Sequence, residues 1–155
     1  MAVFTGNAAQ ATATPKASRT GLVAVTSFWS WDRSVSVGTT IQMIKVAAGA
    51  TPVFVQVGGS NAGQYTASVG DGLNTARWMN HLTLSAAMGM VACGGGGTTQ
   101  TVGALYTYSV DDTLDIFVSL VSISTVGGAF YMTAYISMDV QPTGTVVGLL
   151  GGVAG

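Results

Sequence analysis

Residues 106–140 read YTYSVDDTLDIFVSLVSISTVGGAFYMTAYISMDV, and this stretch decides the fold class. In its last third, Phe130, Met132, Ala134, Ile136, Met138 and Val140 alternate with Tyr131, Thr133, Tyr135, Ser137 and Asp139. Side chains of a strand point to opposite faces in turn, so this is one apolar face backed by a largely polar one. Before it, Leu114, Ile116, Val118 and Leu120 form an apolar row, with Asp115, Phe117, Ser119, Val121 and Ile123 on the other side. Apolar groups on both sides mean cover on both sides, which places residues 113–124 inside a sheet rather than at its edge. Asp111-Asp112 and Gly127-Gly128 supply the turns. The stretch predicts antiparallel strands and holds nothing that looks like a catalytic apparatus.

Working outward, further strands are expected over residues 35–46, 53–57, 64–69 and 101–108. Ala47 to Pro52 and Gly70-Asp71-Gly72 are turn clusters, because Pro suits a strand start and Gly and Asp accept turn geometry. Residues 73–91 are ambiguous, and Thr83–Met90 within them fits either a short strand or one helical turn. Seven or eight strands at turn-marked intervals predict an all-β chain, an antiparallel β-sandwich of jelly-roll or related Greek-key type. Residues 1–34 read as an extended N-terminal arm, 35–141 as the sandwich and 142–155 as a Gly-rich C-terminal tail.

Charge is scarce. Lys plus Arg number 5 and Asp plus Glu 6, all of them Asp, so charged residues make up 7% of a 155-residue chain. Soluble domains ordinarily carry roughly 25%. A shortage of Glu and Lys agrees with strands, where both are depleted. It also leaves a surface of Thr, Ser, Gly and apolar atoms with weak protection against self-association. The net charge of −1 and the scattered Lys16, Arg19, Arg33, Lys45 and Arg77 argue against a nucleic-acid surface. No apolar run reaches the roughly 18 residues that span a membrane, and residues 1–20 lack the apolar core of a signal peptide. Cys93 is the single cysteine, so no intrachain disulfide is expected and synthesis in a reducing cytoplasm fits.

Candidate chemistry is thin. His81 is the single histidine, and no serine sits in a nucleophile-elbow context, so no enzyme activity is expected. One histidine and one cysteine fall short of a zinc site. Gly94 to Gly97 has no following G-K-[ST], which removes a phosphate cradle. Asp111, Asp112 and Asp115 could recruit a cation, as could Asp71 with Asn74, but turn Asp residues bonding their own backbone explain them without one. Neither a metal nor a cofactor is therefore expected.

The aromatic residues offer more. Phe4, Phe28, Trp29 and Trp31 lie on or beside the expected arm, where aromatic groups serve as interface anchors or close one end of a sandwich. Tyr131 and Tyr135, with Tyr106 and Tyr108 on an expected neighbouring strand, could stack sugars or simply pack across strands.

The order IKVAAGATPVFVQV (residues 44–57), YTASVGDG (65–72) and YTYSVDDTLDIFV (106–118) resembles the capsid decoration, or cement, proteins of tailed bacteriophages. The likeness spans roughly residues 40–140 and lies in strand ends and turns. It implies a β-sandwich, often a jelly roll, made in the host cytoplasm and carried on the outer capsid surface of the virion. There it would act as a homo-oligomer, commonly a trimer, clamping neighbouring capsomers of the major capsid protein without cofactor or catalytic residue. Phe4, Lys16, Arg19, Phe28, Trp29 and Trp31 are the expected capsid or oligomer interface. The alternative is a carbohydrate-binding β-sandwich of a phage fibre or host-attachment structure, using the tyrosines.

Overall fold

The computed structural model describes residues 3–6, 21–31, 35–60, 64–84, 91–92, 106–123 and 127–138. Nine strands form two sheets: β1 (Val3–Thr5), β2 (Gly21–Trp31), β3 (Thr40–Val46), β4 (Ala50–Ser60), β5 (Gln64–Gly70), β6 (Met79–Leu84), β7 (Val91–Ala92), β8 (Asp112–Ile123) and β9 (Gly128–Met138). One sheet has the order β1-β3-β8-β5-β6, the other β2-β9-β4-β7. β1 runs parallel to β3; every other pairing is antiparallel.

The pairs β2·β9, β3·β8, β4·β7 and β5·β6 are those of one long hairpin with its tip between β5 and β6. Rolling that hairpin brings β9 beside β4 and β8 beside β5, which are the two remaining antiparallel pairings. A rolled hairpin of eight strands is a jelly roll. The expected sandwich is thus the observed one, with β1 added at an edge. As its two-sided pattern predicted, β8 is the central strand of its sheet.

The core lies between the sheets. Phe130, Met132, Ala134 and Ile136 of β9 point into it, against Leu114, Ile116 and Val118 of β8. Alternation fails where strands bulge, and each failure exchanges faces. The register shifts between Gln42 and Ile44, so Met43 and Ile44 are both buried. It shifts again between Pro52 and Phe54, moving burial from Ala50 and Pro52 to Val55 and Val57. Ser119 of β8 is bypassed between Leu120 and Val118, so Leu120, expected inside, is exposed while Val121 packs on the core. One extra residue in a period-2 strand has that effect.

Several expected boundaries change: the strand expected over 35–46 begins at Thr40, and the one expected over 53–57 spans Ala50–Ser60, taking Pro52 out of the expected turn. The arm drawn over residues 1–34 contains β2, whose eleven residues pair with β9 along their whole length, and β1, which pairs with β3. Residues 106–108, expected to end a strand, are irregular but tied to the β4 entry: the Tyr108 N–H donates to Ala50 O (2.9 Å), its carbonyl accepts from Gly49 N–H (2.7 Å), and the Thr107 and Thr51 hydroxyls share a hydrogen bond of 2.7 Å. The ambiguous region supplies β6 and β7. Residues 7–20 and the tail lie outside the described residues.

Candidate functional site

Every charged residue among those described, Lys45, Asp71, Arg77, Asp111, Asp112 and Asp115, belongs to the five-stranded sheet or the loops at its ends. The described parts of β2, β9, β4 and β7 carry none. The outer face of that four-stranded sheet is therefore neutral. Its rows follow from the register: Leu22, Ser137 and Thr51; Ala24, Tyr135 and Phe54; Thr26, Thr133 and Gln56; Phe28, Tyr131 and Gly58. Leu22 (59%), Phe28 (49%) and Tyr131 (39%) are exposed, although such groups usually anchor contacts. Thr26 and Thr133 share a hydroxyl hydrogen bond of 3.0 Å at the centre, and Phe54 meets Tyr135 edge-on at 5.8 Å.

The expected interface residues divide between this face and the core. Phe28 stands on the neutral face opposite Tyr131. Trp29, its neighbour, turns inward and packs on the core, 6.4 Å from the Phe130 ring. Phe4, 40% exposed, reaches across from β1 to within 4.9 Å of the Trp29 ring, so these two close the seam between the sheets. Gly6 is needed there: a Cβ would sit 2.8 Å from Ser27 Oγ. Trp31 ends β2 opposite Gly128. Lys16 and Arg19 lie outside the described residues, as do Cys93 and the Gly94 to Gly97 run.

The tyrosines do not form one row. Tyr106 and Tyr108 belong to a buried clasp at one end of the sandwich. Asp71, fully buried, accepts at Oδ1 from the N–H groups of Leu73 (3.0 Å) and Asn74 (2.7 Å), and at Oδ2 from Arg77 Nε (2.5 Å) and the Tyr108 hydroxyl (3.0 Å). Arg77 Cζ lies 3.6 Å over the Tyr106 ring, and Trp78 stacks on Tyr108 at 6.2 Å. Burial opposes the Asp71 charge, but Arg77, the two backbone donors and Tyr108 outweigh it and hold the carboxyl below its usual range. Burial likewise opposes the Arg77 charge, and Asp71 more than offsets it, raising its pKa. Burial, then the Asp71 charge, push the Tyr108 phenol up, so it stays a donor.

This clasp fixes the hairpin tip to the segment entering β8, and it uses Asp71 and Arg77 structurally. Residues 71–78 return so tightly that a Cβ on Gly70 would collide with the Asn74 carbonyl and the Thr75 backbone. Asp112 bonds the Thr113 N–H (2.8 Å), the expected turn role; Asp111 instead reaches Ala48 N–H (2.9 Å) in the β3–β4 turn. Among the described residues no group of three or more His, Cys, Asp or Glu is placed to hold a metal ion.

His81 has φ 51° because β6 is bulged: Ser68 of β5 faces both Asn80 and His81. The Ser68 hydroxyl donates to Asn80 Oδ1 (3.1 Å) and accepts from His81 N–H (3.3 Å). His81 is thereby a bulge residue on the surface.

Asp115 was missed as a distinctive group. It is 3% exposed on the central strand, between Gln42 and Gly70, and its Oδ1 has no hydrogen-bond partner. Burial, helped by the nearby Asp112 and Asp71 charges and opposed by a Thr113 hydrogen bond, pushes its pKa up to about 7. Its only sequence signal was a carboxylate in a strand with apolar residues on both sides.

No protein-family model matches the chain, and no curated protein matches it. Two solved structures share its architecture. A chain in the capsid of Ralstonia phage GP4 superimposes with a TM-score of 0.65 at 13% identity, covering 88% of this chain and 98% of that one. A chain in the capsid asymmetric unit of cyanophage Pam1 gives 0.56 at 18% identity, covering 84% and 96%. At these identities the likeness is one of fold, and it extends over nearly the whole of both neighbours.

Proposed function

We propose that this chain is a structural virion protein that decorates and stabilises a bacteriophage capsid. It would sit on the outer shell as a homo-oligomer, a trimer being the arrangement the sequence resemblance implies, and clamp neighbouring subunits of the major capsid protein. The observation that carries this reading is a likeness of fold, over nearly their whole length, to chains found in two phage capsids. A neutral, aromatic sheet face supports it, since such a surface gains most when another protein covers it. In a shell, many weak copies replace one tight site.

Residues 2–20 are the segment proposed to dock on the coat, with Phe4, Lys16 and Arg19 as contacts. Deleting residues 2–20 removes the short edge strand β1 and spares β2, and is expected to abolish co-sedimentation with purified capsids while leaving a cooperative thermal transition of the sandwich in place. Unchanged capsid binding by the truncated chain would refute arm docking. The carbohydrate reading keeps one observation, the exposed Tyr131 beside Phe28. Glycan binding that is lost on Tyr131→Ala would favour it; no binding in a glycan titration would remove it.

A further inference from the structure

We infer that the outer face of the β2-β9-β4 sheet binds a second copy of this chain about a two-fold axis. The axis would lie in the interface, across the strands, beside the Thr26–Thr133 row. The outward residues of β2 run Leu22, Ala24, Thr26, Phe28 and Ser30, all exposed. Their sizes read large, small, medium, large, small. A two-fold through Thr26 sets Phe28 over Ala24 of the second copy and Leu22 over its Ser30, so each large group of β2 meets a small one. On β9 the same operation sets Tyr131 against Tyr135 and Thr133 against itself. A face that matches its own rotated copy is what an isologous interface requires.

Charge and area agree with a copy as the occupant. The face carries no charge among its described residues, so two copies approach without the like-charge repulsion that ordinarily suppresses self-pairing. Asp32, Arg33 and Asp139, which follow β2 and β9, lie outside the described residues. β2, β4 and β9 have eleven residues each. At ~3.3 Å per residue and ~4.8 Å between strands, the face is about 36 Å by about 14 Å. Two such faces bury roughly 1,000 Å² before side-chain relief is counted, about the threshold for a specific interface. Sheet faces of two copies would then pack as the two layers of a sandwich do. If the chain also forms trimers, this pairing joins two of them.

The inference concerns the chain alone and does not rest on the proposed capsid role; a dimer that ignores capsids would sink that role and leave this one standing. The test uses the full-length protein and light scattering. The expected mass is twice 15.6 kDa, or an even multiple. Ala24→Arg, at an exposed position, should halve it with an unchanged circular-dichroism spectrum. In a chain with Cys93→Ser, Thr133→Cys lies on the axis; because facing sheets pack ~10 Å apart, beyond the reach of a disulfide, a short bismaleimide should link two copies on a denaturing gel. Thr26→Cys is the second variant, should Thr133→Cys not fold. A monomer, an odd multiple, or a dimer that neither cross-links at these positions nor responds to Ala24→Arg would overturn the inference.

Discussion

Asp115→Asn should change how the stability of this protein depends on pH. Asp115 is buried on the central strand β8 with Oδ1 unpartnered, and its pKa in the fold is about 7 against 3.8 for the free side chain. The folded state therefore holds a proton that the unfolded chain releases once pH exceeds 3.8. Below 3.8 both states are protonated and stability does not vary on this account. From there stability falls as pH rises, until the folded group ionises near 7 and the loss levels off. A shift of about three units, at ~1.4 kcal/mol each, corresponds to roughly 4 kcal/mol across the window. Between about pH 5 and about pH 8.5 the wild type should lose roughly 2–3 kcal/mol by the same linkage. Asn cannot ionise, so the variant should lose far less, whatever its absolute stability. Urea unfolding followed by tryptophan fluorescence reports this, with Trp78 buried in the core. Protein concentration must be held fixed, because self-association shifts apparent stability. Equal pH dependence in the two proteins would show that Asp115 is ionised in the fold and would refute the reasoning.

Removing one member of the clasp should be costly: Arg77→Ala leaves Asp71 buried without its cation and is expected to lose ~3–5 kcal/mol in the same assay. The double variant Asp71→Asn/Arg77→Met should cost less than the sum of the singles, because both act on one contact. At the β6 bulge, His81→Val should destabilise by ~1–2 kcal/mol, whereas His81→Asn, which tolerates positive φ, should stay within ~0.5 kcal/mol. Neighbours on β9 should differ by face: Phe130→Ala costs ~3–5 kcal/mol at a fully buried site. Tyr131→Ala should be near neutral for the fold in dilute solution, with its effect seen in assembly.

Much of the fold was legible because β9 alternates cleanly and β8 shows apolar groups on both sides. β2 was not, and the reason is chemical. It buries Ser27 and exposes Leu22 and Phe28, the inverse of what a period-2 reading expects of a sheet strand. That inversion made the strand look like an arm. Bulges hid the inward role of Val121 and the outward one of Leu120, since a one-residue register shift leaves no compositional trace. The Asp71–Arg77 clasp looked like turn chemistry because its decisive partner, Tyr108, is distant in sequence. Of the expected interface residues, Phe28 and Phe4 are surface groups and Trp29 is a seam residue, a division that neighbouring positions on one strand can reveal only once its faces are known.

If this jelly roll is a coat-bound virion component, electron cryomicroscopy of virions from the genome that encodes it will show it in place. Density for the sandwich is expected on the outside of the capsid, in symmetric copies, with its N-terminal segment running onto the coat. Virions whose capsids lack the protein, or which carry it only on the tail, would contradict a coat-bound role.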